Sequence, residues 1–556
     1  MILSYDTPTL TMTTQPLDYS SVPIAAPVAT PVAPPIDRTV RPWQIAVLAL
    51  IVIVASGLRF GLIGTPVYEL DEYWHAELST GRGSAQNHQP KNVLYDPGPR
   101  VTSLKDAPPW WKVWSHMDDT VHPPLYPQLL RFWRAMIGEG PGESRSLGAL
   151  ANVLSILVLF DVARRLHGTR TALWAAAIMA VAAPQIMLAR TLRGYSTALL
   201  FMLCLADVVV SLEQHPAKPR RRLILLGLLT LCSALTHYFT TFILTAIGIY
   251  ALLRGRGRVR SGAILAMCVA AIVFLLVWGP WMLPQRTTLP AKTDDWINDG
   301  WPGHTARVAE WATSLPLRML FEPRTSATRY AILGATLFIV PIFLLRRRRD
   351  LLLWVFWLWL SMLPLLAMDL LRDTKHLFHI RYIMAAGPAV FALLAAMLNH
   401  VPQVTLRTAL PAVSVLACML SIGSAFEEPR IEYDELAQFI DDRIRPDEPV
   451  VIYAQHGSWG GNALFLVLTG QSKSYPWPLV MLDQKPAPQS LLAQLRANGS
   501  VWLLCENESL EPGEILPGGR AFMPESIHFA NHMTAWHVMF DASTSAPPTA
   551  ATQSSR

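Results

Sequence analysis

The sequence predicts a polytopic α-helical membrane protein that has a large first outer loop and a small α/β domain near its C-terminus. The chain has 556 residues, of which 52% are hydrophobic and only 15% are charged. An ordinary soluble domain carries roughly 25% charged residues, so this composition argues against a soluble globular protein. Long apolar segments alternate with clusters of arginine and lysine, which is the pattern of a chain that crosses a membrane repeatedly.

Residues 1–42 are rich in proline, threonine, alanine and valine, and they contain no lysine or arginine before Arg38. A signal peptide needs an apolar core, and this segment carries none. We therefore expect 1–42 to be a disordered cytoplasmic tail. We expect residues 546–556, at the other end of the chain, to be disordered as well.

A membrane span needs about 20 largely apolar residues, and about eleven segments qualify. They are 43–64, 146–166, 172–189, 195–212, 223–236, 239–253, 263–283, 327–345, 351–371, 383–398 and 409–425. The fifth and sixth are short and are separated only by His237 and Tyr238. We assign the membrane domain to residues 43–425.

Lysine and arginine accumulate in short cytoplasmic loops, and this bias gives the orientation. The basic clusters are 38–41, 164–170, 218–222, 254–260 and 346–349. With eleven spans, all of them fall on one side of the membrane. The sequence thus predicts a plasma (inner) membrane protein with a cytoplasmic N-terminus. The net charge of +6 follows from this topology, so nucleic acid is not an expected partner, whereas membrane lipids are.

Two long segments lie on the extracytoplasmic side in this topology. The first outer loop, 65–145, contains an apolar pattern at 129–137 that predicts an amphipathic helix lying in the membrane interface. The second segment, 426–545, has helix patterns at 433–444 and 489–497 and strand patterns at 450–454 and 501–505. This alternation predicts a small extracytoplasmic α/β domain.

The five cysteines do not have the spacing of a disulfide framework or of a metal site, because four of them lie in apolar spans. We predict no cofactor. A divalent cation beside the acidic residues of the outer loop would find oxygen ligands there, but nothing in the sequence supports one.

Asp71 and Glu72 follow the first span closely and form an acidic pair beside aromatic residues. A carboxylate is able to take a proton from an attacking hydroxyl, and nearby cations stabilise a leaving phosphate. The polar residues that the topology places at the outer ends of spans are Asp71, Glu72, Arg190, Arg193, His237, Tyr238, Asp369, Arg372, Asp373, Lys375, His376, His379 and Arg381. This combination predicts group transfer from a phosphorylated lipid.

Simpler interpretations stay open at this point. An acidic pair in a loop is often solvated surface, and arginines near the end of a span often snorkel to lipid headgroups. Asp207 lies within an apolar span, where an acid is either functional or bonded to neighbouring helices. The rival functions are a transporter or lipid flippase and a non-catalytic membrane scaffold. A transporter predicts polar groups at the bilayer midplane and paired halves with broken helices, whereas the charges here gather at one face.

Short motifs occur in a fixed order on the predicted outer side. They are Asp-Glu at 71–72, His-Pro-Pro-Leu-Tyr at 122–126, Leu-Ala-Arg through Arg-Gly-Tyr at 188–195, Thr-His-Tyr-Phe at 236–239 and Ile-Arg-Tyr at 380–382. Together they resemble the C-type (GT-C) membrane glycosyltransferases, in particular family 39 and related bacterial members. These are relatives of protein O-mannosyltransferases and of the aminoarabinose transferase that modifies lipid A. The likeness covers roughly residues 43–400.

The resemblance implies a GT-C fold, a polyprenyl-phosphate-linked sugar as donor, inversion at the anomeric carbon, and a lipid, polysaccharide or protein acceptor. It also implies that Asp71 is the catalytic base and that Glu72 places the acceptor or orients the base. Arg381 corresponds to the ligand of the donor phosphate. The weaker candidates for that role are Arg190, Arg193 and Lys375.

Four further residues are candidates for substrate binding: His122, Asp119, His237 and Tyr238. The segment between Glu72 and His122 is longer than in compact members of the family. It adds a second acidic pair, Asp118–Asp119, which is an alternative source of the base. The segment after Ala425 matches no motif of the family.

Overall fold

The computed structural model describes residues 38–65, 68–117, 120–217, 219–298, 300, 302–321, 328–426, 438–453, 464–466, 468–470, 475–505, 511–529 and 533–540. Side chains are described in these ranges except at 286–296, 328–331, 521–529 and 533. Asp118 and Asp119 lie outside the described residues, as do 1–37 and 546–556. The predictions for these residues therefore stay predictions.

Helices dominate the described part of the chain. In order, they are α1 Pro42–Phe60, α2 Leu70–Ser79, α3 Lys112–Ser115, α4 Leu125–Ile137, α5 Pro141–His167, α6 Thr169–Val181, α7 Ala183–Ala189, α8 Tyr195–Gln214, α9 Arg220–Thr236, α10 Thr240–Arg254, α11 Gly257–Ile297, α12 His304–Phe321, α13 Thr328–Leu344, α14 Leu352–Arg372, α15 Ile380–Ile383, α16 Gly387–Leu398, α17 Val404–Leu420, α18 Gln489–Ala497 and α19 Pro512–Ile515.

Six helical segments of the described chain are long and apolar enough to cross a membrane, or seven if the bent pair α6–α7 counts as one span. The six are Pro42–Phe60, Pro141–His167, Tyr195–Gln214, Gly257–Gln285, Arg349–Arg372 and Ile380–Leu398. Shorter apolar helices occur at Thr240–Arg254, Ile332–Leu344 and Val404–Leu420. A mostly helical chain with several apolar spans is thus confirmed, and the count of eleven stays a prediction.

A buried arginine holds the bend of 60° between α6 and α7. Pro184 stands at the start of α7, and the last carbonyls of α6 therefore lack helical partners. Arg59, which is 0% exposed, donates from Nη2 to Met179 O at 3.0 Å and from Nη1 to Ala180 O at 2.8 Å. Its Nε donates to Asn152 Oδ1 of α5 at 2.8 Å. After the bend, α7 ends at Ala189, and the chain continues through Arg190 to Arg193.

Asp207, the acid within an apolar span, is paired. Its Oδ1 lies 3.0 Å from Arg165 Nε, and Arg165 and Arg164 also contact Asp161. Asp207 thus joins α8 to the end of α5 through a charge network. This arrangement favours the structural interpretation of Asp207 over a transport role.

The described residues form one six-stranded sheet, in the order β1-β3-β2-β4-β6-β5. Its strands are β1 Leu94–Tyr95, β2 Val450–Tyr453, β3 Leu479–Leu482, β4 Ser500–Cys505, β5 Gly519–Phe529 and β6 Met533–Phe540. Strand β2 pairs in parallel with β3 and β4, and the other pairs are antiparallel. The patterns at 450–454, 501–505 and 489–497 correspond to β2, β4 and α18. That 426–545 forms a domain of its own stays a prediction.

The first outer loop contributes to this sheet and packs against it. Strand β1 comes from that loop, and Asn92 beside it donates through its side-chain amide to Asp483 Oδ1 at 2.8 Å. One sheet face, with Val450 and Trp502, belongs to the same apolar cluster as Tyr73 and Ala76 of α2. The sheet therefore supports the helix that carries the acidic pair.

The predicted amphipathic helix at 129–137 lies within α4. Leu130 on one face is fully buried, whereas Met136 is 71% exposed and Ile137 is 51% exposed. Arg134, on the buried side, donates to Ala76 O of α2 at 2.9 Å. Helix α4 thus packs on α2 and leaves an apolar edge exposed, as expected of a helix at a membrane surface.

Candidate active site

Asp71 lies in the first turn of α2 and contacts two arginines from distant parts of the chain. Arg381 Nη1 donates to Asp71 Oδ2 at 2.8 Å, and Arg193 Nη2 pairs with the same oxygen. Oδ1 accepts no hydrogen bond from the described residues, and the Asp71 side chain is 21% exposed. The structure therefore brings together three residues that sequence reasoning selected, with one carboxylate oxygen held and the other open.

Glu72 occupies a different environment from its neighbour. Its carboxylate accepts from Arg145 Nε at 2.8 Å and from Arg145 Nη2 at 2.7 Å, and both side chains are 0% exposed. It also accepts from the backbone N–H groups of Leu192 at 2.6 Å and Glu69 at 2.8 Å. Glu72 thus fastens α2 to the start of α5 and to the segment that carries Arg193.

A narrow pocket adjoins Arg193. Its lining consists of His75, His122, Pro123, Tyr126, Pro127, Arg193, Gly194, Tyr195, Thr236 and His237. The ring centroids of His75 and His122 are 4.9 Å apart, and those of His122 and His237 are 6.3 Å apart. A Cβ atom on Gly194 would lie 3.1 Å from Tyr126 Cγ, so any larger residue here would press against the Tyr126 side chain. His75 Nδ1 lies 2.9 Å from the carbonyl oxygen of Asp71, which connects the pocket to the acidic pair.

The histidines of the pocket are neutral at pH 7. Burial lowers the pKa of His75 to about 4. Burial, together with the charge of Arg193, lowers the pKa of His237 to about 3, and burial lowers the pKa of His122 well below its usual value. His75 Nδ1 donates to a carbonyl and His237 Nδ1 accepts from Phe239 N–H, so His75 Nε2 is an acceptor and His237 Nε2 a donor. One acceptor nitrogen and one donor nitrogen on uncharged rings suit a neutral hydroxyl better than an anion.

These shifts predict an acid-sensitive fold. The folded pKa of His75 is about 4 against 6.5 in the unfolded chain, so the unfolded state binds the proton more readily between these values. His75 therefore contributes stability above pH 6.5 that is lost as the pH falls toward 4, amounting to about 3 kcal/mol in full. We expect the thermal midpoint to fall between pH 7.5 and 5, and to fall less in His75→Gln. An equal fall in that variant would contradict the assignment.

Two of the remaining candidates, Arg190 and Tyr238, contact residues from other parts of the chain. Arg190 donates to Leu62 O at 3.0 Å and stacks on the Phe426 ring at 4.2 Å. Tyr238 donates to Gln285 Oε1 at 2.6 Å and accepts from Trp278 Nε1 at 2.8 Å. These contacts hold both side chains against other parts of the protein, and neither is among the residues that line the pocket. Asp119 is outside the described residues.

Lys375 belongs to the segment that leads from α14 to Arg381. This segment is held by Arg318, whose guanidinium donates to the carbonyl oxygens of Leu377 and Phe378. Burial, followed by the charge of Arg381 and then of Lys375, lowers the pKa of His379 to about 3. Lys375, His379 and Arg381 therefore share one electropositive wall.

Sequence reasoning missed several residues of the site. His75 is one helical turn after Asp71, so the i, i+4 spacing on α2 would have placed it beside the acid. Arg145 gave no signal, because it stands where a predicted loop meets a predicted span. In the described part of the chain, no group of three or more His, Cys, Asp or Glu side chains is arranged to hold a metal ion.

Comparisons with known proteins agree with the fold. Residues 121–281 match the sequence model of the dolichyl-phosphate-mannose-protein mannosyltransferase family. The chain is similar to apo ArnT from Cupriavidus metallidurans, with 15% identity, a TM-score of 0.51, and coverage of 91% of this chain and 98% of that one. No curated protein matches. The predicted resemblance to the C-type membrane glycosyltransferases is thus confirmed.

Weaker similarities extend to other solved structures. ArnT bound to undecaprenyl phosphate aligns with 15% identity, a TM-score of 0.47, and coverage of 91% of this chain and 98% of that one. The Archaeoglobus fulgidus oligosaccharyltransferase tethered to an acceptor peptide aligns with 12% identity, a TM-score of 0.43, and coverage of 87% and 73% respectively.

Proposed function

We propose that this protein transfers a sugar from a polyprenyl-phosphate-linked donor to an acceptor hydroxyl on the extracytoplasmic side, with inversion at the anomeric carbon. The fold and the family match support a membrane glycosyltransferase. The observation that carries the proposal is Asp71, whose Oδ2 is held by Arg193 and Arg381 while Oδ1 stays open. A carboxylate and two cations at one point provide both the base and the phosphate ligands that the reaction needs.

In the proposed reaction, the acceptor oxygen attacks the anomeric carbon as the bond from that carbon to the phosphate oxygen breaks. The proton of the acceptor passes to Asp71, and the electron pair of the broken bond leaves with polyprenyl phosphate. Arg381 and Arg193 stabilise the charge on the departing phosphate. Glu72, whose carboxylate is fully bonded within the protein, positions Asp71 and takes no proton.

Donor binding changes the environment of Asp71. Without donor, both arginines neutralise the carboxylate and favour its charged form. A bound phosphate competes for the same guanidinium groups, which weakens their hold on Asp71 and raises its affinity for a proton. Donor binding thus makes Asp71 a stronger base.

The histidine pocket provides the place for neutral hydroxyl groups. His122 and His237 line it together with Tyr195, and both imidazole rings are uncharged at neutral pH. We assign this pocket to hydroxyl groups of the sugar or of the acceptor. Arg193 lines the pocket, so a hydroxyl bound there lies close to the phosphate that Arg193 stabilises. Lys375, on the wall that carries Arg381, adds positive charge that attracts the donor.

The test uses the full-length protein in lipid discs with a panel of sugars linked to undecaprenyl phosphate, the lipid seen on ArnT. We expect release of free undecaprenyl phosphate from one sugar donor when an acceptor extract is present. His215→Asn is a matched control, because His215 is an exposed histidine at the far end of α8. Release from no donor by a folded protein would overturn the proposal and favour a transporter or a scaffold.

A further inference from the structure

Asp369, at the end of α14, organises the turn that leads to Arg381. Its side chain is 0% exposed and accepts hydrogen bonds from Thr374 Oγ1 at 2.7 Å, His376 N at 2.8 Å, His376 Nδ1 at 2.9 Å and Leu377 N at 2.8 Å. All of these donors belong to the residues that follow α14. The buried carboxylate thus fixes both the backbone of the turn and the ring of His376.

The hydrogen bonds define which nitrogen of His376 remains available. The Thr374 hydroxyl donates its hydrogen bond to Asp369, so toward His376 Nδ1 both Thr374 and Asp369 act as acceptors. Nδ1 of His376 is therefore the nitrogen that carries a proton. Nε2 has no hydrogen-bond partner among the described residues, and the His376 side chain is 13% exposed. The geometry therefore presents a histidine with one nitrogen anchored and the other open to a ligand.

His376 lies on the same wall as the arginine that contacts Asp71. Its ring centroid is 5.5 Å from that of Tyr382, and the Arg381 guanidinium lies 5.3 Å from the Tyr382 ring. On the other side, the Phe239 ring centroid is 6.3 Å from His376 and 5.3 Å from His237. His376 is therefore separated from Arg381 and from the histidine pocket by one aromatic ring in each direction.

The surroundings of His376 suit a lipid phosphate. Asp369 and Tyr382 contact its ring directly. The neighbouring His379 is close to His376 and to three cations, which are Lys375, Arg381 and Arg318 of α12. Phe378 in the same turn is 46% exposed and Leu371 at the end of α14 is 84% exposed. Positive charge beside exposed apolar side chains is the combination that a phosphate on a hydrocarbon chain requires.

We propose that His376, positioned by Asp369, is a further ligand of the phosphate group of the lipid-linked donor. Nε2 contacts the phosphate oxygens through a hydrogen bond, and Asp369 holds the ring in place from the opposite nitrogen. The inference rests on the proposed function, since it assigns a second contact to the same phosphate that Arg381 binds.

The experiment measures binding of undecaprenyl phosphate to the disc-embedded protein by equilibrium retention of the radiolabelled lipid. His376→Gln places an amide donor near the position of Nε2, whereas His376→Asn keeps a donor only near Nδ1. We expect His376→Asn to bind the lipid about 10- to 100-fold more weakly, as befits the loss of a charge-assisted hydrogen bond. We expect His376→Gln to recover part of the affinity, and His215→Asn to bind like the wild type.

The outcomes separate this inference from the proposed function. Failure of the wild-type protein to bind the lipid would overturn both. Binding by the wild type and equal binding by His376→Asn would overturn the phosphate role of His376 alone. Equal losses in His376→Asn and His376→Gln, accompanied by a lower thermal midpoint in both, would assign His376 a purely structural role in the turn and overturn the inference as well.

Discussion

Replacement of Asp71 by asparagine is expected to lower turnover by about 10²- to 10⁴-fold, which is the usual contribution of a positioned base. Asparagine preserves the shape of the side chain but does not accept the proton of the acceptor hydroxyl. The measurement is release of undecaprenyl phosphate from the active sugar donor under single-turnover conditions. The fold should persist, because Asp71 is partly exposed and contributes one carboxylate oxygen to the protein's contacts.

The same variant has a second signature that a merely damaged protein would not show. Asp71 competes with the donor phosphate for Arg193 and Arg381, so its neutralisation leaves both guanidinium groups available. We expect Asp71→Asn to bind undecaprenyl phosphate at least as tightly as the wild type, while its turnover falls. Unchanged turnover would remove Asp71 from the mechanism. In that case Asp119→Asn becomes the decisive comparison, because the second acidic pair is the alternative source of the base.

Sequence reasoning alone predicted that Asp71, Arg193 and Arg381 lie near one another. They are polar residues at the ends of apolar segments, and the alternation of basic loops assigns those ends to one side of the membrane. Because each span must cross the membrane, the order of apolar and basic segments in the sequence predicts which span ends lie on the same side. The contact of Asp71 with both arginines agrees with that reasoning.

The membrane topology did not predict which of Asp71 and Glu72 is partly exposed and which is buried. Neighbouring residues of a helix point about 100° apart, so one faces the cavity and the other the protein interior. Which one does so depends on partners such as Arg145 and the Leu192 amide, which come from other elements. Strand β1 was missed for a similar reason, since it has two residues and is defined by its pairing with β3.

The buried pair of Glu72 and Arg145 predicts a large loss of stability rather than a selective loss of chemistry. Both side chains are 0% exposed, and removing one partner of a buried ion pair costs about 3–5 kcal/mol because the other charge is left uncompensated. We expect Glu72→Gln to lower the thermal midpoint strongly and to reduce the yield of folded protein. Scanning fluorimetry of the detergent-purified variant measures this effect.

A double replacement distinguishes the ion pair from a role in the reaction. Glu72→Gln keeps an acceptor for the Leu192 amide, and Arg145→Met removes the charge that the first change leaves unpaired. We therefore expect the double variant to be more stable than either single variant, because a buried pair replaced as a unit costs far less than a broken one. Recovered stability with recovered turnover would establish Glu72 as the residue that positions Asp71. A Glu72→Gln protein with wild-type stability and no turnover would contradict this and place Glu72 in the chemistry itself.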